Sequence, residues 1–143
     1  MKYLLLFILA IVFFSCKSTS KTATESTITE KYWKLIELYG NPVSVDSTMQ
    51  REPHIIFRNA ENRFNGNTGC NSMSGTYELL AMDRIKLSRI ITTKMACMNT
   101  MELERHFTSA LQEADNYNVT GDTLVLNKAK MAPLAKFKSV YLK

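Results

Sequence analysis

From residue 32 onward, apolar residues recur mostly at every second position, in short runs cut by turn-forming residues. Only one stretch has helical spacing. That imbalance decides the fold class. Parallel strands need crossovers of a dozen or more residues, usually helical, and one helix cannot supply them for several strands. The chain is therefore expected to be mainly β (α+β). It should form an antiparallel, barrel-like sheet of about 7–8 short strands, with one principal α-helix closing an end or face.

The expected strands are short. Trp33, Leu35 and Glu37 share one side of a run over 32–39, which Gly40-Asn41-Pro42 ends. His54-Ile55-Ile56-Phe57-Arg58 is a second strand, followed by turn chemistry at 59–62 and an extended segment from Arg63. Residues 76–80 form another. In 84–90, Ile85, Leu87 and Arg89 are expected on one face, and Lys86, Ser88 and Ile90 on the other. Gly121-Asp122 joins two β-rich runs as a hairpin, and a last strand covers 134–142. The helical stretch carries Leu103, Phe107, Ala110, Leu111 and Ala114 on one stripe. Asn99 is read as its N-cap and Glu102 as the capping-box partner. Glu102, Glu104, Arg105, Gln112 and Glu113 fall on the polar side.

The N-terminus reads as an address. Lys2 precedes an apolar run over 3–14, too short for the roughly 20 residues that span a bilayer and suited to a secretory leader. Phe13-Phe14-Ser15-Cys16 resembles a bacterial lipobox, with Phe13 where Leu is commonest. The resemblance implies cleavage before Cys16 and lipidation of that cysteine, with several acyl chains giving durable attachment. Lys17, where enterobacterial lipoproteins retained in the inner membrane carry Asp, implies the outer membrane. Residues 17–30 hold eight Ser or Thr and no aromatic. They cannot bury enough apolar surface to offset ordering entropy. The expected organisation is a signal peptide over 1–15, a lipidated cysteine and tether over 16–30, and one domain over 31–143.

The net charge of +5 drops to +4 when cleavage removes Lys2, and no Lys/Arg run is interleaved with aromatics. No nucleic-acid partner is expected. The C-terminal lysines Lys128, Lys130, Lys136, Lys138 and Lys143 suit either anionic headgroups or protection of an edge strand.

Three local patterns occur in order: Trp33-Lys34-Leu35, then Gly69-Cys70-Asn71 with Ser74-Gly75-Thr76-Tyr77, then Thr92-Thr93-Lys94-Met95-Ala96-Cys97. Glu104, Phe107 and Leu111 follow, and then Val119, Gly121, Leu124 and Leu126. This succession closely resembles the META domain, or HslJ-like, family over about 32–140. The resemblance implies a small β-rich domain with one main helix. It also implies links to heat-shock response, antibiotic tolerance and motility, with no assigned molecular activity.

Cys70 and Cys97 belong to those patterns. With Cys16 lipidated, the remaining cysteine count is even, and an envelope compartment is oxidising. A Cys70–Cys97 disulfide would be worth about 3.5 kcal/mol in the chain-entropy description. Two buried thiols, or a reactive or metal-binding pair, are the other readings. Only His54 and His106 are present, with no nucleophile elbow and no zinc-ligand spacing. Gly66, Gly69 and Gly75 are read as permitting a tight turn and bulge rather than as a binding loop. Met95, Met98 and Met101 recur every third residue around Cys97. That spacing fits core packing, and it also fits a copper(I) site.

The function expected is a membrane-anchored envelope lipoprotein, with a non-catalytic binding or stress-response module. No catalytic residue, resident metal or cofactor is expected. The partners expected are the membrane, through the lipid, and an envelope protein or small ligand, with the chain a monomer. Two alternatives stand beside it. One is a carrier of a small lipid or metabolite in the barrel interior, which a core filled by Trp33, Phe57, Phe107 and Phe137 opposes. The other is thiol or copper chemistry at Cys70 and Cys97.

Overall fold

The computed structural model describes residues 27–47, 49–129 and 132–141. The leader, Cys16 and most of the tether lie outside the described residues, as do Lys130, Met131 and Lys143. Among the described residues there are nine strands: β1 (Tyr32–Leu38), β2 (Asn41–Pro42), β3 (His54–Arg58), β4 (Arg63–Asn67), β5 (Ser72–Leu80), β6 (Arg84–Thr92), β7 (Asn116–Thr120), β8 (Thr123–Asn127) and β9 (Pro133–Val140). The helix α1 covers Met101–Glu113, and a single 3₁₀ turn covers Ala60–Asn62.

All strand pairings are antiparallel, and β1 pairs with both β3 and β9. That double pairing closes eight strands into a ring, with the two-residue β2 appended to β1. The ring has one weak seam. β6 and β7 share a single register pair, Arg84↔Asn116, whereas β5 and β6 pair from Met73↔Thr92 to Leu80↔Arg84. α1 packs against β1, β6, β8 and β9. Its stripe enters the core as expected: Phe107, Ala110 and Leu111 are buried, and Leu103 packs against them.

The interior is filled with side chains. Trp33, Phe57, Phe64, Phe107 and Phe137 are all fully buried. Phe57 meets Tyr77 edge-on at 5.1 Å, and Phe107 lies 5.9 Å from Phe137. Ile28, which the sequence placed in the tether, is 1% exposed and belongs to this core. Its carbonyl accepts the Trp33 indole N–H at 2.7 Å, and Thr29 bridges Phe57 in parallel.

Two strand alternations change face at bulges. The β1–β9 register shifts between Leu35 and Glu37. Leu38 therefore points inward, and Glu37 turns out to pair with Lys136 at 2.8 Å. In β6, Arg89 adopts φ +53 where the β5–β6 register shifts. Arg89 stays exposed and Ile90 packs on the core. One extra residue in a strand reverses the face of everything after it.

Three further expectations are corrected. The helix begins one residue later than the capping-box reading placed it: Thr100 is the N-cap, and no side chain makes a capping bond. The Thr100 hydroxyl turns back to the Cys97 carbonyl. β9, carrying Lys136 and Lys138, is paired on both sides and has no free edge to protect. Of the three loop glycines, only Gly69 has a left-handed φ, at +103. Gly66 lies inside β4, and Gly75 lies inside β5 at the β5–β6 register shift, as the bulge reading expects. A Cβ on Gly75 would come within 2.5 Å of the Phe64 ring that covers it.

Candidate functional site

The Gly69-Cys70-Asn71 turn is where the sequence patterns converge in space. Asn67 opens it by accepting the Gly69 N–H on its side-chain oxygen at 2.8 Å. The positive φ of Gly69 then reverses the chain. Thr68 closes the turn, donating its N–H to the Asn71 carbonyl at 2.9 Å and accepting the Asn71 N–H on its hydroxyl at 3.1 Å. Asn67, Thr68 and Asn71 are all buried.

Asn71 uses its whole amide to hold two other segments. Its oxygen accepts the Thr93 hydroxyl at 2.7 Å and the Met95 N–H at 2.8 Å. Its NH₂ donates to the Met95 carbonyl at 3.1 Å and to the Glu104 carboxylate at 2.8 Å. The same Glu104 oxygen accepts the Thr68 hydroxyl at 2.8 Å. Cys70 and Cys97 are joined in a disulfide with Cα atoms 6.1 Å apart, spanning 27 residues of sequence. The turn, the 93–97 segment and the first turns of α1 are thus tied by one covalent bond and one polar network. No buried side-chain nitrogen or oxygen among the described residues lacks a partner.

Sequence reasoning assigned Glu104 to the polar face of α1 and so missed its role. It is half-buried and aimed at the turn. Its place ahead of Phe107 and Leu111 in the family-like succession was the available signal.

The histidines are not brought together with the cysteines. His54 stacks on Tyr32 with ring centroids 4.3 Å apart, and its Nδ1 lies 2.8 Å from the Glu52 carbonyl. Burial pushes the His54 imidazole below its ordinary pKa. Burial, reinforced by the Glu52 charge, pushes the Tyr32 phenol up to about 12. Glu52 also pairs with Lys34. His106 lies on α1, edge-on to Tyr39 at 6.0 Å. Among the described residues, no group of three or more His, Cys, Asp and Glu side chains is placed to hold a metal ion.

A half-open groove of about 560 Å³ follows the weak seam and is lined by Ile28, Asn59, Tyr77, Glu78, Asp83 and Val119, among others. Two turns with left-handed residues border it, Glu61-Asn62 and Met82-Asp83. The Tyr77 hydroxyl donates to the Arg58 carbonyl at 3.2 Å and so fixes the ring at the groove. Glu30 holds the neighbouring corner. Its carboxylate accepts the Asn59 N–H at 2.7 Å and pairs with Arg58 at 2.9 Å, and both interactions lower its pKa. Sequence reasoning did not foresee this groove, because it is assembled from four separate parts of the chain.

The sequence pattern of the META domain matches residues 26–141. No curated protein matches. Three solved structures share the fold. One determined by NMR is 25% identical, with a TM-score of 0.60, and the match covers 78% of this chain and 90% of that one. An NMR structure from Burkholderia xenovorans is 20% identical, with a TM-score of 0.63, covering 79% and 83%. A crystal structure of a DUF4847 family protein from Bacteroides vulgatus is 17% identical, with a TM-score of 0.60, covering 80% and 96%.

Proposed function

Because the chain belongs to the META domain family, we propose that it works as a non-catalytic binding module of the bacterial cell envelope, held to the membrane by a lipid on Cys16. One observation carries the non-catalytic reading. The chemically capable groups of the family-like patterns are committed to one another, with Cys70 and Cys97 in a disulfide and Asn71 bonded to Glu104. That arrangement suits a clamp that positions surfaces. The groove beside Tyr77 and Asp83 is a concave surface available for a partner. A filled interior favours this outer groove over the barrel lumen as the place where a small molecule would sit.

The envelope assignment rests on the lipobox-like 13–16 segment and the Ser/Thr-rich stretch after it. The stress-response role rests on the family alone. Cross-linking in the native envelope, followed by partner identification, tests the binding role. A Tyr77→Ala or Asp83→Lys variant should lose the captured partner. Turnover of a substrate by the purified domain, abolished by changing one named residue, overturns the non-catalytic reading. Radiolabelled palmitate should enter the chain and disappear in Cys16→Ala. Label that persists in that variant overturns the anchor.

A further inference from the structure

The two ends of the barrel are built differently. One carries the Gly69 turn and the disulfide-tied segment, where Met95, Met98 and Met101 stay exposed rather than entering the core. The other carries the turns at 59–62 and 81–83, the Gly121-Asp122 hairpin tip and the entry of the chain at Thr27. The groove beside Tyr77 opens at this second end. The strand registers decide which side chains turn into it. Leu79 lies opposite the buried Ile85, and Tyr117 and Val119 lie opposite the buried Leu126 and Leu124. All three therefore share the inward face of the barrel. Leu79 is nonetheless 41% exposed. With Ile28 and Tyr77, both buried, these side chains make an apolar, partly aromatic floor that is left uncovered at the barrel mouth. The walls are polar. Asn59, Asn62 and Asn118 carry planar amides, and Asp83 carries a carboxylate. Glu78 also borders the groove, but it lies opposite the exposed Lys86 and so faces out of the barrel. No Lys, Arg or His is among the lining residues. Val119 adds its main chain. The tight hairpin turns the main-chain groups of Asn118 and Thr120 toward β8, so those of Tyr117 and Val119 point the other way. The Tyr117 N–H accordingly donates to the Asp83 carbonyl at 2.9 Å.

These features select a ligand class by exclusion. An anionic ligand would meet a carboxylate and no cation. A fatty acyl chain would strip water from three amides and give them no partner. An organic cation would find one exposed carboxylate, and exposed ion pairs are worth little. An added peptide strand needs a run of open main-chain groups. The Tyr117 N–H is already taken, so the edge is only one residue long, at Val119. A pyranose ring has the remaining properties. Its C–H face suits an apolar or aromatic floor. Its hydroxyls are neutral and both donate and accept, as the asparagine amides do. The volume of about 560 Å³ is that of a small-molecule site. We propose that this barrel mouth binds a neutral oligosaccharide, with a sugar ring on Leu79 and Tyr117 and its hydroxyls on Asn59 and Asn62. The proposal rests on the reading of this groove as a partner surface and names the chemistry of what it takes. Glycoside hydrolysis uses a pair of carboxylates across the scissile bond. With Glu78 facing out, Asp83 stands alone, so the mouth holds the glycan without cleaving it.

The test uses the full chain carrying Cys16→Ala, ¹⁵N-labelled and with the disulfide intact. Cellotriose, maltotriose and N,N′,N″-triacetylchitotriose are titrated separately to millimolar concentration. At least one should shift the amide resonances of Asn62, Leu79 and Val119 and leave those of α1 in place. Trigalacturonate, the anionic control, should shift none. A second measurement needs no variant: saturation of the tyrosine ring protons should pass to the C–H protons of the bound sugar. Asn59→Ala/Asn62→Gly removes two amides, and glycine keeps the left-handed turn at 62. That variant should bind the sugar at least about tenfold more weakly at an unchanged urea midpoint. Four results overturn the proposal. They are no shift with any of the three neutral sugars, shifts centred away from the mouth, equal binding of trigalacturonate, and undiminished binding by the double variant. If no sugar binds while Tyr77→Ala still loses its cross-linked partner, the ligand class falls and the groove stands as a partner surface.

Discussion

Asn71 shows how much one amide can hold. Its side chain makes four hydrogen bonds to two segments more than twenty residues away in sequence. Replacing it by Ala leaves the Met95 N–H unpaired and removes one of the two donors to the Glu104 carboxylate at a buried junction. An unsatisfied buried polar group costs about 1–3 kcal/mol, so Asn71→Ala should destabilise the domain by about 3 kcal/mol, read as a lower urea midpoint at unchanged slope. Asn71→Asp keeps the shape but faces Glu104 with a like charge, and it should be as unstable at neutral pH. His54 gives a second prediction at this scale. Burial lowers its folded-state pKa below 6.5, so the unfolded chain takes up the proton first. Stability is then fully present above pH 6.5 and falls as pH drops through the folded value. His54→Phe keeps the ring against Tyr32 and should remove that step from the pH dependence of the urea midpoint. Glu30 and Asp115 act in a lower window. Their folded pKa values lie below 4.5 and 3.8, so their contributions persist at neutral pH and vanish only below those values.

Individual elements show where sequence was readable. The helix stripe from Leu103 to Ala114 and the Gly121-Asp122 hairpin were legible because each depends on neighbours a few residues away. Gly121 takes φ +57 and Asp122 is not left-handed, the pattern of a type II′ turn with Gly first. The bulges at Ile36 and Arg89 were not legible. A one-residue insertion into a strand has no residue signature when the left-handed position is filled by Arg rather than Gly. The disulfide was anticipated from cysteine pairing, but the spacing of Met95, Met98 and Met101 does not report exposure. Glu104 was misread because its partner, Asn71, lies 33 residues away. The disulfide ties the turn before β5 to the segment before α1. Reducing it should cost about 3.5 kcal/mol, measured by urea unfolding with and without dithiothreitol. Equal midpoints would show that the polar network alone holds the junction.

At the scale of the whole molecule, the foldable unit reaches further upstream than the domain start at 31 that composition suggested. A single Ile in a Ser/Thr-rich stretch carries little signal, yet Ile28 completes the core beside Trp33. Ile28→Ala should cost about 2–4 kcal/mol. Deleting residues 1–30 should cost more, because it also leaves the Trp33 indole N–H unpaired in the interior. Trp33 fluorescence during denaturation reports both. The barrel itself was legible as a class, since one helix cannot serve a parallel sheet. Its closure between the first and last long strands was not, because the pairing Tyr32↔Val140 joins residues over a hundred positions apart.

That closure makes the position of the chain ends arbitrary. With β1 lying beside β9, the strands form a cycle, and the gene is one of several ways to cut it. A short flexible linker from Tyr141 to Thr27, with new ends between Gly121 and Asp122, leaves every ring pairing available. Exposed turn tips are the sites where such rearrangements succeed. The permuted chain should recover the Cys70–Cys97 bond on oxidative refolding, seen as an unreduced mass and a native Trp33 spectrum. The eight-stranded cycle, rather than the linear order of its strands, is the physical object.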